Sequence, residues 1–168
     1  MQGIEVGIDE VLLSREKRVA IQNEMIKKYN LPLISFTMNI PGPIKTNNEI
    51  KAAFDIGKNL ILEKLKENNI EILEVQELNE NTGNELFISA NSSAEKIKDI
   101  TVTIEENSEL GRLFDIDVID VNFKKLSRKS FRKCLICERQ AQECGRSRKH
   151  SVEELQKKVE EILSKGAN

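Results

Sequence analysis

The spacing of apolar residues predicts helices and strands in alternation along the first half of the chain. Apolar residues recur at helical spacing over residues 9–29. Residues 34–40 alternate apolar and polar side chains with the period of two that is typical of a half-buried strand. Thr46 and Glu49 resemble a capping box, which predicts a second helix from there to the Asn68-Asn69 pair.

The rest of the pattern predicts four more strands and two more helices. The strands are predicted at residues 70–78, 85–90, 100–105 and 112–121. A short helix is predicted over 92–98, and an amphipathic helix over 151–163 with Ser151 and Glu154 as its capping box. This order predicts an α/β (α+β) fold, in which helices flank a mixed, mostly antiparallel sheet of about five strands. We expect one domain over the whole chain, with the segment of about 124–168 packed on it.

The strand predicted at 112–121 contains the most informative motif, because Asp115 and Asp117 stand two residues apart in an apolar run. Residues two apart in a strand point to the same face, so the two carboxylates would project side by side. Adjacent carboxylates repel each other, and the pKa of one is raised unless a cation lies between them. Mg²⁺ bound together with substrate phosphates meets that need and indicates phosphoryl or nucleotidyl transfer. The alternative is a solvent-facing acidic pair on an edge strand.

Charge divides the chain into an acidic body and a basic block. Residues 124–150 have a net charge of +8, whereas residues 1–123 have a net charge of −9. Such a block indicates an anionic partner, namely polyphosphate, nucleic acid or an acidic protein, or else a solvated basic surface. The sequence shows no membrane-spanning stretch and no signal-peptide pattern, so we expect a cytoplasmic protein with no membrane partner.

The three cysteines and the single histidine lie close together in the sequence, at Cys134, Cys137, Cys144 and His150. Zinc binds three thiolates and one imidazole tetrahedrally, so this group is a candidate zinc site. Two alternatives stay open. Cys134 and Cys137 have the spacing of small buried side chains on one helix face. A catalytic thiol is also conceivable, although the chain offers no second histidine as its base.

Basic side chains in two other places are candidates for binding phosphate. Arg15 and Arg18 share a face of the first predicted helix with Gln22. Arg146 and Arg148 precede the last predicted helix, where free backbone N–H groups and the helix dipole favour anions. Guanidinium groups bind phosphate through two parallel hydrogen bonds.

Five segments, taken in order, carry a family resemblance. They are residues 15–18 with Gln22, residues 32–45 (PLISFTMNIPGPIK), residues 110–118 (LGRLFDIDV), residues 132–137 (RKCLIC) and residues 144–151 (CGRSRKHS). Together they resemble the apo-citrate lyase phosphoribosyl-dephospho-CoA transferases, the holo-acyl-carrier-protein synthases of citrate lyase. The resemblance implies a nucleotidyltransferase-like fold. It also implies transfer of phosphoribosyl-dephospho-CoA from triphosphoribosyl-dephospho-CoA to a serine of the citrate lyase acyl carrier (gamma) subunit, with release of pyrophosphate.

The resemblance also implies roles for residues. Asp115 and Asp117 would hold Mg²⁺ against the triphosphate and act in catalysis. The basic block would dock the carrier subunit. Polymerase-β-type nucleotidyltransferases are more distantly similar, and their third carboxylate has no evident counterpart here, since Asp120 faces away in a regular strand. The implied contacts to phosphate come from Arg15, Arg18, Lys45, Arg112, Arg146 and Arg148.

Other functions stay open at this point. A zinc-containing nucleic-acid-binding module would explain the basic block and the Cys/His group, but aromatic residues for stacking on bases are few, so no nucleic acid is expected. The equivalent transferase for another carrier, such as that of malonate decarboxylase, has the same chemistry. A Mn²⁺-dependent glycosyltransferase also uses Asp-x-Asp, but this chain is short for a nucleotide-sugar domain. The last alternative is a non-catalytic scaffold protein, in which the two aspartates would be merely structural.

Overall fold

A computed structural model describes residues 1–166 and has a four-stranded antiparallel sheet at its centre. The strands are β1 (Leu33–Met38), β2 (Glu71–Glu80), β3 (Gly83–Asn91) and β4 (Phe114–Ile119). Their order across the sheet is β2-β3-β1-β4. The helices are α1 (Ile8–Tyr29), α2 (Asn48–Glu67), α3 (Ala94–Glu106), α4 (Ala141–Ser147) and α5 (Val152–Gly166), and a 3₁₀ turn (Leu110–Leu113) precedes β4. No helix within residues 1–166 is long and apolar enough to cross a membrane.

Helices pack on both faces of the sheet. On one face, α2 and α3 cover a core in which the Phe36 ring stacks on Phe54 at 4.9 Å and meets Phe114 edge-on at 5.3 Å. On the other face, Met25 of α1 packs with Phe87 of β3. Phe114, Ile116 and Val118 of β4 point into the first of these cores. Alternation along β4 therefore places Asp115 and Asp117 on the α1 side of the sheet.

Side chains of α3 form hydrogen bonds with the backbone groups at the free edge of β4. The backbone N–H of Ile116 donates to Oε2 of Glu105 at 3.0 Å, and Nζ of Lys98 donates to the carbonyl of Ile116 at 3.1 Å. Further along, the N–H of Leu126 donates to the carbonyl of Val118 at 2.9 Å. The edge is thus closed against pairing with other strands, and β4 is held from both sides.

The predicted α+β class and the mostly antiparallel sheet are confirmed, but the strand predicted at 100–105 is wrong. The β-branched run there favours a strand by propensity, yet these residues form the second half of α3. The buried residues Ile97, Thr101 and Ile104 follow helical spacing. In this helix, Lys98 and Glu105 lie seven residues apart and both reach the edge of β4.

The predicted helix starts are partly confirmed. The capping box of α5 is present, since the N–H of Glu154 donates to Oγ of Ser151 at 3.1 Å and the N–H of Ser151 donates to Oε1 of Glu154 at 3.3 Å. For α2 the cap is one residue later than predicted. Oδ1 of Asn47 accepts from the N–H of Ile50 at 2.8 Å, while the hydroxyl of Thr46 donates to Oδ1 of Asn84 in β3 at 2.7 Å.

Candidate active site and metal cluster

Asp115 and Asp117 lie side by side on β4, as the sequence predicts, opposite Thr37 and Ser35 of β1. Nζ of Lys125 lies 3.3 Å from Oδ2 of Asp117. Within residues 1–166 the carboxylate of Asp115 has no ion pair and no hydrogen bond, although it opens into a cleft. Surrounding protein raises its pKa by desolvation, and the charge of Asp117 raises it further.

A first cleft of about 180 Å³ lies between α1 and the sheet on one side of Asp115. Arg15, Arg18 and Lys45 line it, so three of the predicted phosphate ligands are brought together. Arg15 has no ion-pair partner among the residues that the structure describes. Lys45 donates from Nζ to the carbonyl of Ile40 at 2.8 Å, and burial lowers its pKa, with the charge of Arg15 adding to the effect.

Glu85 belongs to this cleft but was not among the predicted site residues. It is 5% exposed, forms an ion pair with Arg18, and lies in the same row across the sheet as Thr37 and Asp115. Two strand spacings separate Glu85 from Asp115, or about 10 Å, which is too far for both to bind one ion. Glu85 therefore positions Arg18. A charged residue at the start of a mostly apolar predicted strand was the available signal.

A second cleft, of about 540 Å³, lies on the other side of Asp115. Asp115 and Asp117 form one wall, and the segment 125–132 forms the opposite one. Arg132 is fixed in this wall, since it donates to the carbonyl of Arg112 at 2.7 Å and lies 3.5 Å from the buried carboxylate of Glu105. The charge of Arg132 opposes the rise in the pKa of Asp115.

Arg128 lies in the same wall, where it contacts Glu105 at 3.6 Å and Glu106 at 3.0 Å. Burial raises the pKa of Glu105, and the charges of Arg132 and Arg128 oppose that rise. The sequence placed both arginines in the basic block without distinguishing them. Only the fold shows that Glu105 and Glu106 of α3 hold these two arginines in the wall of the second cleft.

Three other predicted phosphate ligands do not line either cleft. Arg112 donates to the carbonyl of Cys134, and Arg146 is exposed on α4. Arg148 ends α4 with a left-handed φ of 50° and lies in a groove beside Cys144 and His150. The structure thus places Arg112 and Arg148 beside the Cys/His group and Arg146 on the exposed side of α4.

The Cys/His group does come together in space. The ligand atoms of Cys134, Cys137, Cys144 and His150 all lie within 4.8 Å of one another. Sγ of Cys137 is 3.5 Å from Sγ of Cys144 and 3.4 Å from Nε2 of His150. The contact with His150 lowers the pKa of the Cys137 thiol to about 6, whereas desolvation raises that of Cys144 to about 11. These four atoms are placed to hold one metal ion.

The fold and these sites define an α+β protein whose carboxylate pair lies between two basic clefts, an arrangement suited to a transferase of phosphate-bearing groups. Comparison with known families agrees. The family model described as apo-citrate lyase phosphoribosyl-dephospho-CoA transferase matches residues 6–166, and the chain belongs to this family.

Curated relatives carry the same description. A Vibrio cholerae protein (serotype O1, strain M66-2), named "Probable apo-citrate lyase phosphoribosyl-dephospho-CoA transferase", is 42% identical over 95% of this chain and 92% of its own length. A Citrobacter koseri protein of that name, without "probable", is 35% identical over 94% of this chain and 88% of its own. A protein of that name from Escherichia coli O7:K1 is 34% identical over 95% of this chain and 89% of its own length. The family resemblance is thereby confirmed, and a nucleic-acid-binding module is not favoured.

Proposed function

We propose that this protein transfers the phosphoribosyl-dephospho-CoA group from triphosphoribosyl-dephospho-CoA to a serine of the acyl carrier subunit of apo-citrate lyase. Family membership supports the reaction. The observation that carries the assignment to a site is the unpaired carboxylate of Asp115, which lines both basic clefts. We expect the reaction to take place in the cytoplasm.

The proposed step is a nucleotidyl transfer, in which one bond to phosphorus forms and one breaks. The serine Oγ forms a bond to the α-phosphorus of the donor, and the bond between that phosphorus and the bridging oxygen to the β-phosphate breaks. Pyrophosphate leaves with the electrons of the broken bond. The hydroxyl proton passes to a carboxylate oxygen of the aspartate pair.

The aspartate pair fits a magnesium ion. Two carboxylates from one strand supply hard oxygen ligands, and Lys125 is the one cation within 4 Å of either carboxylate among residues 1–166. When bound, Mg²⁺ would neutralise the charge that develops on the phosphates. Asp115 and Asp117 would hold it and orient the α-phosphate, and Lys125 would be released from Asp117.

The first cleft is the proposed site for the β- and γ-phosphates. Arg15, Arg18 and Lys45 converge there from α1 and from the loop after β1. Glu85 keeps Arg18 at the wall of the cleft. Arg112 and Arg148, which lie beside the Cys/His group, are assigned to holding that region rather than to binding donor phosphates.

The Cys/His group is the proposed site of a structural zinc ion. Tetrahedral bonds of about 2.3 Å to sulfur and 2.0–2.1 Å to nitrogen place neighbouring ligand atoms about 3.5–3.8 Å apart, close to the distances at Cys137. The N–H of Ile136 contacts Sγ of Cys134 at 3.5 Å, and Oε2 of Glu154 lies 3.8 Å from Nδ1 of His150. Such outer contacts orient ligands. Three thiolates and one imidazole fill four positions, so the zinc would stabilise the fold and not react.

Pyrophosphate release, followed with saturating donor and apo carrier, tests the assignment. Asp115→Asn and Asp117→Asn should each reduce the rate by about 10²–10³-fold, the loss typical of removing one group that stabilises transition-state charge. Asp55→Asn is the matched control, because Asp55 is exposed and α2 packs on the other face of the sheet. Near-normal rates for both site variants would show that the pair is not catalytic.

A further inference from the structure

Lys125, Lys129 and Phe131 line the second cleft, and Phe123 and Lys124 come just before Lys125 in the turn after β4. We call these five basic and aromatic residues the rim. We propose that this rim docks an acidic, partly apolar face of the acceptor protein, and that the acceptor hydroxyl enters through the second cleft. The inference rests on the proposed function, because it needs a protein acceptor. It adds which surface that acceptor occupies.

The position of Asp115 between two clefts sets the direction of approach. In a phosphoryl-type transfer, the attacking and leaving oxygens lie roughly in line on opposite sides of phosphorus. The first cleft, at about 180 Å³, is smaller than the roughly 300–1,000 Å³ of sites for drug-sized ligands, so it suits the departing pyrophosphate. The second cleft is about three times larger and lies opposite. A protein hydroxyl therefore reaches the phosphorus from the second cleft.

The rim lies in a stretch with an excess of positive charge, although Lys125 pairs with Asp117 at 3.3 Å. Residues 124–133 contain six Lys/Arg and no Asp/Glu. The side chain of Lys129 is 91% exposed, with Asp99 at 3.7 Å as its ion partner, and Lys124 has none within residues 1–166. Arg128 differs, because Glu105 and Glu106 hold it in the wall. Exposed lysines around a site attract an acidic partner and speed its encounter.

Two phenylalanines stand out of the rim into solvent. Phe131 is 57% exposed and Phe123 is 46% exposed. Phe123 has a φ of 64°, a left-handed backbone conformation that is unusual for a bulky residue. Oδ1 of Asp120 fixes its loop by accepting the N–H groups of Asn122 at 2.9 Å and Lys124 at 3.0 Å. An aromatic ring held outward at a strained position, beside exposed lysines, is suited to contact a partner surface.

Binding of the apo carrier subunit, measured by biolayer interferometry without donor, tests the proposal. The double variant Lys124→Glu/Lys129→Glu should raise Kd at least about tenfold at low salt, and should remove most of the salt dependence seen with the wild type. Lys66→Glu/Lys157→Glu, which reverses two exposed charges on α2 and α5, should change Kd by less than about twofold. Equal weakening by both double variants would overturn the assignment of the rim.

Phe123→Gly is a variant that should fold well, since glycine accepts the left-handed backbone. We expect unchanged or higher Tm with a Kd for the carrier raised about threefold or more. The donor KM should stay within about twofold of the wild-type value in every rim variant. A raised donor KM with an unchanged carrier Kd would show that the rim binds the donor instead. If the wild type binds the carrier but transfers nothing, the proposed function fails while the docking surface stands.

Discussion

Asp115→Asn separates stability from catalysis. We expect the carboxylate of Asp115 to be needed for catalysis and to lower the stability of the folded protein. In protein freed of divalent cations with EDTA, the variant should be more stable than the wild type, since desolvation and Asp117 both oppose ionisation of Asp115. Residues two apart lie about 6.6 Å apart along a strand. At that distance two unit charges repel by about 0.6 kcal/mol at a dielectric constant of 80 and about 2.5 kcal/mol at 20.

The stability gained by removing this repulsion should lie nearer the lower figure. Asp115 is exposed to the cleft, and Lys125 already neutralises part of the charge of Asp117. About 1 kcal/mol corresponds to a rise in Tm of about 2–4 °C for a protein of this size. The pH dependence has a definite sign. A raised pKa in the folded state makes the ionised carboxylate destabilising at pH 7, and this penalty disappears as the pH falls through that pKa. The advantage of asparagine should therefore vanish by about pH 4.

Thermal unfolding followed by circular dichroism in EDTA, at pH 7 and pH 4, measures the stability difference. Pyrophosphate release with Mg²⁺ should show the opposite order, with the variant slower by about 10²–10³-fold. Mg²⁺ should raise the Tm of the wild type more than that of the variant. The reasoning is refuted if the variant is less stable in EDTA and loses activity only in proportion to the folded protein lost.

Three further predictions concern other parts of the molecule. Gly57→Ala in α2 should lower the free energy of unfolding by about 1–3 kcal/mol, because the added Cβ would lie 2.6 Å from Cζ of Phe36. Alanine normally favours a helix, so a higher unfolding midpoint in urea would contradict this packing. Cys144→Ser should reduce zinc, measured by inductively coupled plasma mass spectrometry, from about one ion per chain to near zero and lower Tm, and a chelator should lower the Tm of the wild type but not of the variant. Arg15→Gln should raise the donor KM about tenfold and leave the carrier Kd unchanged, measured by steady-state kinetics and interferometry; an unchanged donor KM would remove the first cleft from donor binding.

The strand that carries the aspartate pair was predictable, because a period of two makes both the apolar and the acidic faces visible in the sequence. The second half of α3 was not. Its β-branched residues favour a strand locally, and the decisive fact is tertiary, since Lys98 and Glu105 together satisfy the backbone of Ile116 at the edge of the sheet. Local propensity carries no information about such a contact.

The clefts could be predicted only in part. Basic residues were visible as candidates, but the strand order β2-β3-β1-β4 decides which of them meet Asp115. It brings Arg15 and Lys45 to one side of the pair and Arg132 to the other. Arg112 is only three residues from Asp115, yet the 3₁₀ turn directs it to Cys134. Closeness in sequence was therefore a poor guide to membership of the site.

The most direct test of the proposed function is the intact mass of the apo acyl carrier subunit of citrate lyase after incubation with triphosphoribosyl-dephospho-CoA, Mg²⁺ and this protein. We predict a mass gain equal to one phosphoribosyl-dephospho-CoA group, which is lost with EDTA or when the acceptor serine is replaced by alanine. The Escherichia coli relative, run with the same donor and carrier, is the positive control. An unchanged carrier mass in a reaction where that control succeeds would contradict the proposed function.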